Sequence, residues 1–168
     1  MTAAIIEDEI ERQCVRAILV SPSQQILLMR IAMVPRVFWL TPGGGKHPGE
    51  SDTDALAREL YEETGLVDFT HGPLVWSRET RFSAASEHHN GRRYHQFERF
   101  YWVPTPAGFI PDARNMPDEP ERDWFTEFRW MSVANIAACE EEIIPPDLNR
   151  LLTDLIHAGL PTNPITIR

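Results

Sequence analysis

Alternating and clustered apolar positions divide the chain into short β-prone runs around one long helical period. Residues 13–19 and 25–29 flank Ser21-Pro22-Ser23-Gln24, which predicts two strands joined by a turn. Val37, Phe38, Trp39 and Leu40 form a third run. It is closed by Thr41-Pro42 and Gly43-Gly44-Gly45, where the chain must turn sharply with its backbone exposed. Residues 73–82 and 94–103 are two further strands, and Asn90-Gly91 between them signals a long-looped hairpin. Residues 105–123 are rich in Pro, Asp and Arg and have no period, which predicts a functional or mobile loop. Residues 125–133 return to a strand pattern. Leu148, Leu151, Leu152, Leu155 and Ile156 then mark one face of a helix over residues 146–160, ended by Gly159 and Pro161.

The strongest helical period follows the glycines. Ser51, with Asp54 three residues on, reads as an N-cap with an acidic capping partner, and good helix formers run from Thr53 to Glu63. Gly65 supplies the left-handed residue that ends such a helix. Leu56, Ala57, Leu60 and Thr64 form the stripe expected to face the core, while Glu59, Glu62 and Glu63 crowd the opposite face. Like charges at these spacings cost about a few tenths of a kcal/mol per pair, so something should compensate for them. Arg58, four residues before Glu62, takes up one carboxylate but cannot neutralise three. A hard divalent cation with oxygen ligands can, and Mg²⁺ is typically held by one or two carboxylates together with substrate phosphates. The bland alternative is a solvated acidic face, as most Glu-rich helix surfaces are.

Charge sharpens the choice. The 168 residues carry a formal net charge of -9, so an acidic cluster beside a glycine-rich loop suits a polyphosphate only with cations in between. With 42% apolar residues the chain can build one sizeable core, and a single domain over residues 1–168 is expected. There is no apolar run of eighteen residues, and the opening MTAAIIEDEIERQ is acidic where a secretory signal is basic and then apolar. A cytoplasmic protein without membrane association is expected. Cys14 and Cys139 suggest neither a disulfide framework nor a thiolate metal site.

Gly44, Glu50, Arg58, Glu59, Leu60, Glu62, Glu63, Gly65 and Leu66 stand in the order Gly, five residues, Glu, seven residues, Arg-Glu-apolar-x-Glu-Glu-x-Gly-apolar. This resembles the Nudix box with no specified position missing. The remaining resemblance is one of layout: strands before the box, a hairpin after it and a helix near the end. It implies an α/β fold, the Nudix α/β/α sandwich, with a mixed sheet flanked by helices. It also implies hydrolysis of a nucleoside diphosphate linked to some moiety X, by water attacking phosphorus in a pyrophosphate linkage. The partner so implied is a small nucleotide or related diphosphate, not a nucleic-acid polymer, and the protein a monomer or homodimer.

Carried over by box position, Glu59 and Glu63 are metal ligands, Glu62 is a third ligand or a water-positioning group, and the Gly43 carbonyl is a further ligand, for Mg²⁺ or substituting Mn²⁺. Arg58 is expected to orient Glu62 or Glu50, and Glu50 to hold the loop. The general base is a box glutamate or one of Glu98, Glu119, Glu121 and Glu127, with Glu98 ranked first because its strand should border the site. Arg78, Arg81, Arg92 and Arg93 are candidates for terminal phosphates, against the alternative that the run HHNGRR, which holds Arg92 and Arg93, is a solvated hairpin tip. Trp39, Phe82, Phe97, Tyr101 and Trp124 are candidates for base stacking, against ordinary core positions. The proline that often accompanies ADP-ribose hydrolysis is missing past the box, as is the tyrosine associated with dinucleoside polyphosphates. These absences weaken both substrates without excluding them, and a nucleoside triphosphate, normal or oxidised, is favoured mainly because a short chain with no obvious extra domain is expected. The alternatives are a non-catalytic Nudix-fold module that senses a nucleotide and, more remotely, an isomerase-like use of the fold on a prenyl diphosphate.

Overall fold

The computed structural model describes residues 9–83, 92–117 and 120–168. Two strands, β1 (Ile10–Val20) and β2 (Ile26–Met33), open the chain as expected, but they pair only at Val20 and Ile26. Beyond that rung they part. β1 runs parallel to β6 (Arg93–Pro104) along its whole length, while β2 pairs antiparallel with β3 (Arg36–Leu40) and β7 (Phe125–Met131). The sequence shows the turn but not the divergence, because pairing between distant strands leaves no local signal. β4 (Gly43–Gly45) lies antiparallel to β1, so the predicted glycine turn is itself a short strand. β5 (Leu74–Ser83) forms the expected hairpin with β6, and the Asn90-Gly91 turn lies outside the described residues. The sheet order is completed at its edges by β8 (Glu142–Ile144) beside β3 and β9 (Ile165–Ile167) beside β5. Both are three residues long, too short for a period to show.

Helix α1 (Asp52–Thr64) is capped as the sequence indicates: Ser51 Oγ accepts from Asp54 N, and Gly65 ends the helix at φ 73°. The buried stripe is Ala55, Leu56, Leu60 and Thr64 together with Glu59, which corrects the expectation in two places. Ala57 faces solvent, Ala55 takes its place, and Glu59 turns inward. Leu56 and Leu60 are fully buried against Val15, Ala17 and Leu19 of β1. Each such burial contributes about 1.5–3 kcal/mol, enough to seat the helix on the sheet.

Alternate residues of β1 serve the opposite face. Ile18 and Val20 pack with Leu148, Leu151, Leu152 and Leu155 of α4 (Leu148–Ala158), the expected terminal helix. A short helix, α2 (Pro120–Trp124), takes up the end of the segment read as a loop and runs one residue past it. The strand expected to reach Val133 stops at Met131, because Ser132 caps α3 (Val133–Ala137) reciprocally with Asn135. Asn in place of Glu or Gln hides that capping box from a sequence search. A mixed sheet thus lies between helical layers, the α/β/α arrangement. No helix among the described residues is long and apolar enough to cross a membrane.

Candidate active site

The glycine loop and α1 are fastened to the sheet before any ligand is considered. Gly43 and Gly45 lie opposite Arg16 and Cys14 of β1, and Ala17 N donates to the Pro42 carbonyl at 2.8 Å. Asp52, in the first turn of α1, accepts from Tyr101 Oη at 2.6 Å and from Arg99 at 3.1 Å on β6, and from Lys46 of the loop. These three donors hold the Asp52 carboxyl below its usual range against the cost of its burial. The sequence reading missed this anchor, since four residues from three separate segments leave no spacing to read.

Arg58 gathers the box carboxylates. Its Nε and Nη2 grip Glu50 at 2.8 and 2.9 Å, and Nη2 also donates to the Gly45 carbonyl at 2.9 Å. Nη1 donates to Glu59 at 2.8 Å and to Glu62 at 3.3 Å. The bidentate contact depresses the Glu50 carboxyl to about 2. Glu50 also accepts from His47 N at 2.8 Å, so it holds the loop. Glu59 behaves oppositely: burial pushes its carboxyl above the ordinary value despite Arg58. Glu63 accepts from Gly43 N at 2.6 Å.

Gly44 gives Glu59 its space. A Cβ built there would stand 2.7 Å from Glu59 Oε1, so the carboxylate lies against the bare backbone of the loop. As the side chains stand, no three His, Cys, Asp or Glu among the described residues form a metal-ligating group. Arg58 and the Gly43 amide hold the carboxylates instead. The donor chemistry nevertheless fits a hard cation: carboxylates and glycine carbonyls are all oxygen donors. One of those carboxylates is buried with its charge incompletely offset.

The remaining candidates separate. Glu98 is 2% exposed, and each of its oxygens accepts from an arginine, Arg16 and Arg78, at 3.0 Å. That setting suits holding two guanidinium groups better than moving a proton, and it turns Arg78 inward, away from the terminal-phosphate role considered for it. Arg16 was not anticipated, although a lone charge inside the apolar run of β1 was the available signal. Arg81 pairs with Glu9 and Glu79 and approaches His95, 58% exposed. Arg92 and Arg93 are exposed, and Arg93 stands five residues along β6 from Glu98, about 16 Å at ~3.3 Å per residue. These arginines are therefore not brought to the box cluster. Glu127 bonds Arg129 and lines a groove of about 630 Å³ with Arg30, Trp39 and Glu141, none of them box residues. Glu119 and the side chain of Glu121 lie outside the described residues. Of the aromatic candidates, Trp39 is a core residue whose indole donates to Glu141 at 2.7 Å, Tyr101 anchors Asp52, and Phe82 stacks on Tyr94.

A model of the NUDIX domain matches residues 11–154. A Bacillus subtilis (strain 168) protein named "Putative 8-oxo-dGTP diphosphatase" is 50% identical over 48 residues, a match that spans 29% of this chain and 31% of that protein. The MutT protein from Methanosarcina mazei Go1 superposes with a TM-score of 0.60 at 19% identity, over 90% of this chain and 97% of that one. A NUDIX hydrolase from Nitrosomonas europaea superposes with a TM-score of 0.54 at 27% identity, over 89% and 90% of the two chains. With the domain match spanning most of its length and the box complete, this chain belongs to the Nudix family.

Proposed function

We propose that the protein is a divalent-metal-dependent pyrophosphohydrolase of nucleoside triphosphates, normal or oxidised, releasing a nucleoside monophosphate and pyrophosphate. The observation that carries this reading is the set of box carboxylates gathered by one guanidinium against a side-chain-free backbone. Members of the Nudix family generally need a divalent metal, and Glu59, Glu63 and the Gly43 carbonyl are the residues to hold Mg²⁺ or Mn²⁺. When bound, such a cation polarises phosphoryl oxygens and lowers the pKa of the attacking water.

The chain's own residues do the rest. Arg58 fixes Glu59 and Glu62 in one orientation and is itself locked by Glu50, so the site is preorganised. Glu62, at 26% exposed beside 11% for Glu59, is the more open of these two carboxylates held by Arg58 and takes the proton of the attacking water. That water's oxygen bonds to phosphorus as the bridging P–O bond breaks. The name of the Bacillus subtilis relative supports an oxidised purine nucleoside triphosphate as the substrate to try first.

The test is a panel of normal and oxidised nucleoside triphosphates, sugar nucleotides and dinucleotides, with saturating Mg²⁺ or Mn²⁺ and products separated by anion exchange. Monophosphate and pyrophosphate from a triphosphate are expected. Tight nucleotide binding with no turnover on any member would replace the hydrolase with a sensor.

A further inference from the structure

A row of charged side chains crosses four neighbouring strands behind the glycine loop. Arg78 on β5 donates to Glu98 on β6 at 3.0 Å, Arg16 on β1 donates to the other oxygen of Glu98 at 3.0 Å, and Arg16 Nη1 donates to the Gly43 carbonyl on β4 at 2.7 Å. Register produces the row. Arg78 lies opposite Glu98, Cys14 lies between Glu98 and Gly45, and Arg16 lies opposite Gly43. Side chains two apart on a strand share a face, so Arg16 and Glu98 meet diagonally on adjacent strands.

The row ends on a glycine whose other polar atom is also held, since Gly43 N donates to Glu63 of the box. A guanidinium only 12% exposed needs a carboxylate beside it, and Glu98 provides that charge. Arg16 is a planar fork, so fixing its Nε on Glu98 fixes the direction of Nη1 toward the loop. Arg78 contributes less: it steadies the far oxygen of Glu98, and its own Nε has no hydrogen-bond partner among the described residues.

We propose that Glu98 is a positioning residue which, through Arg16, sets the direction of the Gly43 carbonyl and so the cation affinity of the box. The inference rests on the proposed function above. It replaces proton transfer as the task of Glu98, whose two oxygens are both engaged.

The experiment titrates the full chain with Mn²⁺, following free Mn²⁺ by electron paramagnetic resonance, with circular dichroism melts as the folding control. Glu98→Gln and Arg16→Lys should each weaken Mn²⁺ binding about 10- to 100-fold, the range for losing a group that orients a ligand. Turnover at saturating Mn²⁺ should fall too, while the KM for nucleotide stays within about threefold. Arg78→Gln leaves the Arg16 bonds in place and should keep Mn²⁺ affinity within about threefold. Adding Arg78→Gln to Glu98→Gln restores the net charge of the row without restoring the hold on Arg16, and binding should stay weak. Wild-type affinity in folded Glu98→Gln or Arg16→Lys, or recovery in the double variant, would overturn the proposal. Should Glu98→Gln fail to fold, Arg16→Lys decides by the same criterion. A wild-type chain that binds no Mn²⁺ overturns the proposed function as well, whereas binding by wild type with unchanged variants overturns this inference alone.

Discussion

Gly43 and Gly44 are neighbours in sequence, yet alanine should act on them in opposite ways. At Gly43 a Cβ would stand 2.1 Å from the Val15 carbonyl oxygen and 2.8 Å from Arg16 Cα, both backbone atoms of β1, at a φ of +133°. Neither neighbour can give way without parting β4 from β1. The backbone conformation alone costs about 1–3 kcal/mol for a residue with a side chain. Loosening the Ala17 to Pro42 hydrogen bond adds roughly 0.5–1.5 kcal/mol, so Gly43→Ala should lose about 2–4 kcal/mol or more of stability. At Gly44 the backbone has no such positive φ, and the atoms met, at 2.7–2.8 Å, are the carboxylate of Glu59, the free end of a flexible side chain. Glu59 can swing away, and the stiffer unfolded chain returns about 0.4–1 kcal/mol. Gly44→Ala should therefore melt within a few degrees of wild type. Its turnover should still fall about a hundredfold, because Glu59 is driven off Arg58 and out of the site. Urea midpoints and melting curves measure the stabilities, and turnover on the best nucleotide measures the loss of activity. An active Gly44→Ala, or a Gly43→Ala as stable as wild type, would refute the steric reasoning.

Other expectations follow from the same cluster. Glu59→Gln and Glu63→Gln should each lower turnover at least about a hundredfold, and full activity in both would remove them from the metal site. Burial raises the Glu59 carboxyl, so its charge becomes a burden as pH rises through that raised value. Metal-free Glu59→Gln should therefore melt at or above wild type near neutral pH, and a clear drop would show that the Arg58 contact outweighs burial. Glu50 has the opposite sign. Its depressed carboxyl gives stability that is complete above the ordinary value of 4.5 and lost as pH falls toward about 2. Melting temperature should decline through that window and do so less in Glu50→Gln; identical slopes would discount the Arg58 grip. Arg92→Ala with Arg93→Ala should leave the KM for a triphosphate unchanged if the two arginines stand as far from the box as their strand positions put them. A tenfold rise confined to triphosphates would show that the hairpin folds over the substrate.

What could be read in the sequence was whatever repeats locally. The Ser51 cap, the Gly65 stop and the acidic spacing of α1 depend on neighbours within a turn or two, and each lies where the residues place it. Arg58 was legible beside Glu62 for the same reason, four residues away, whereas its hold on Glu50 was implied by the box resemblance. Ala57 and Glu59 were assigned to the wrong sides because helical period gives a stripe but not its rotation. Gly44, which leaves room for a carboxylate beside the loop, moves the buried side toward Glu59. Asp52 with Tyr101, and Arg16 with Glu98, were invisible because each joins segments whose adjacency comes from parallel pairing of β1 with β6.

That parallel pairing also bears on the order in which the site matures. Within the box, Arg58 reaches Glu50 across eight residues and Glu63 reaches Gly43 across twenty, whereas Arg16 must wait for Glu98, eighty-two residues on. Contacts of short sequence separation form early, and long-range strand pairing is slow because a large loop has to close first. A chain emerging from the ribosome thus carries its whole box well before the strand that steadies it. In a refolding time course the helical signal of α1 should lead and Mn²⁺ affinity should trail, reaching its full value with the docking of the hairpin on β1.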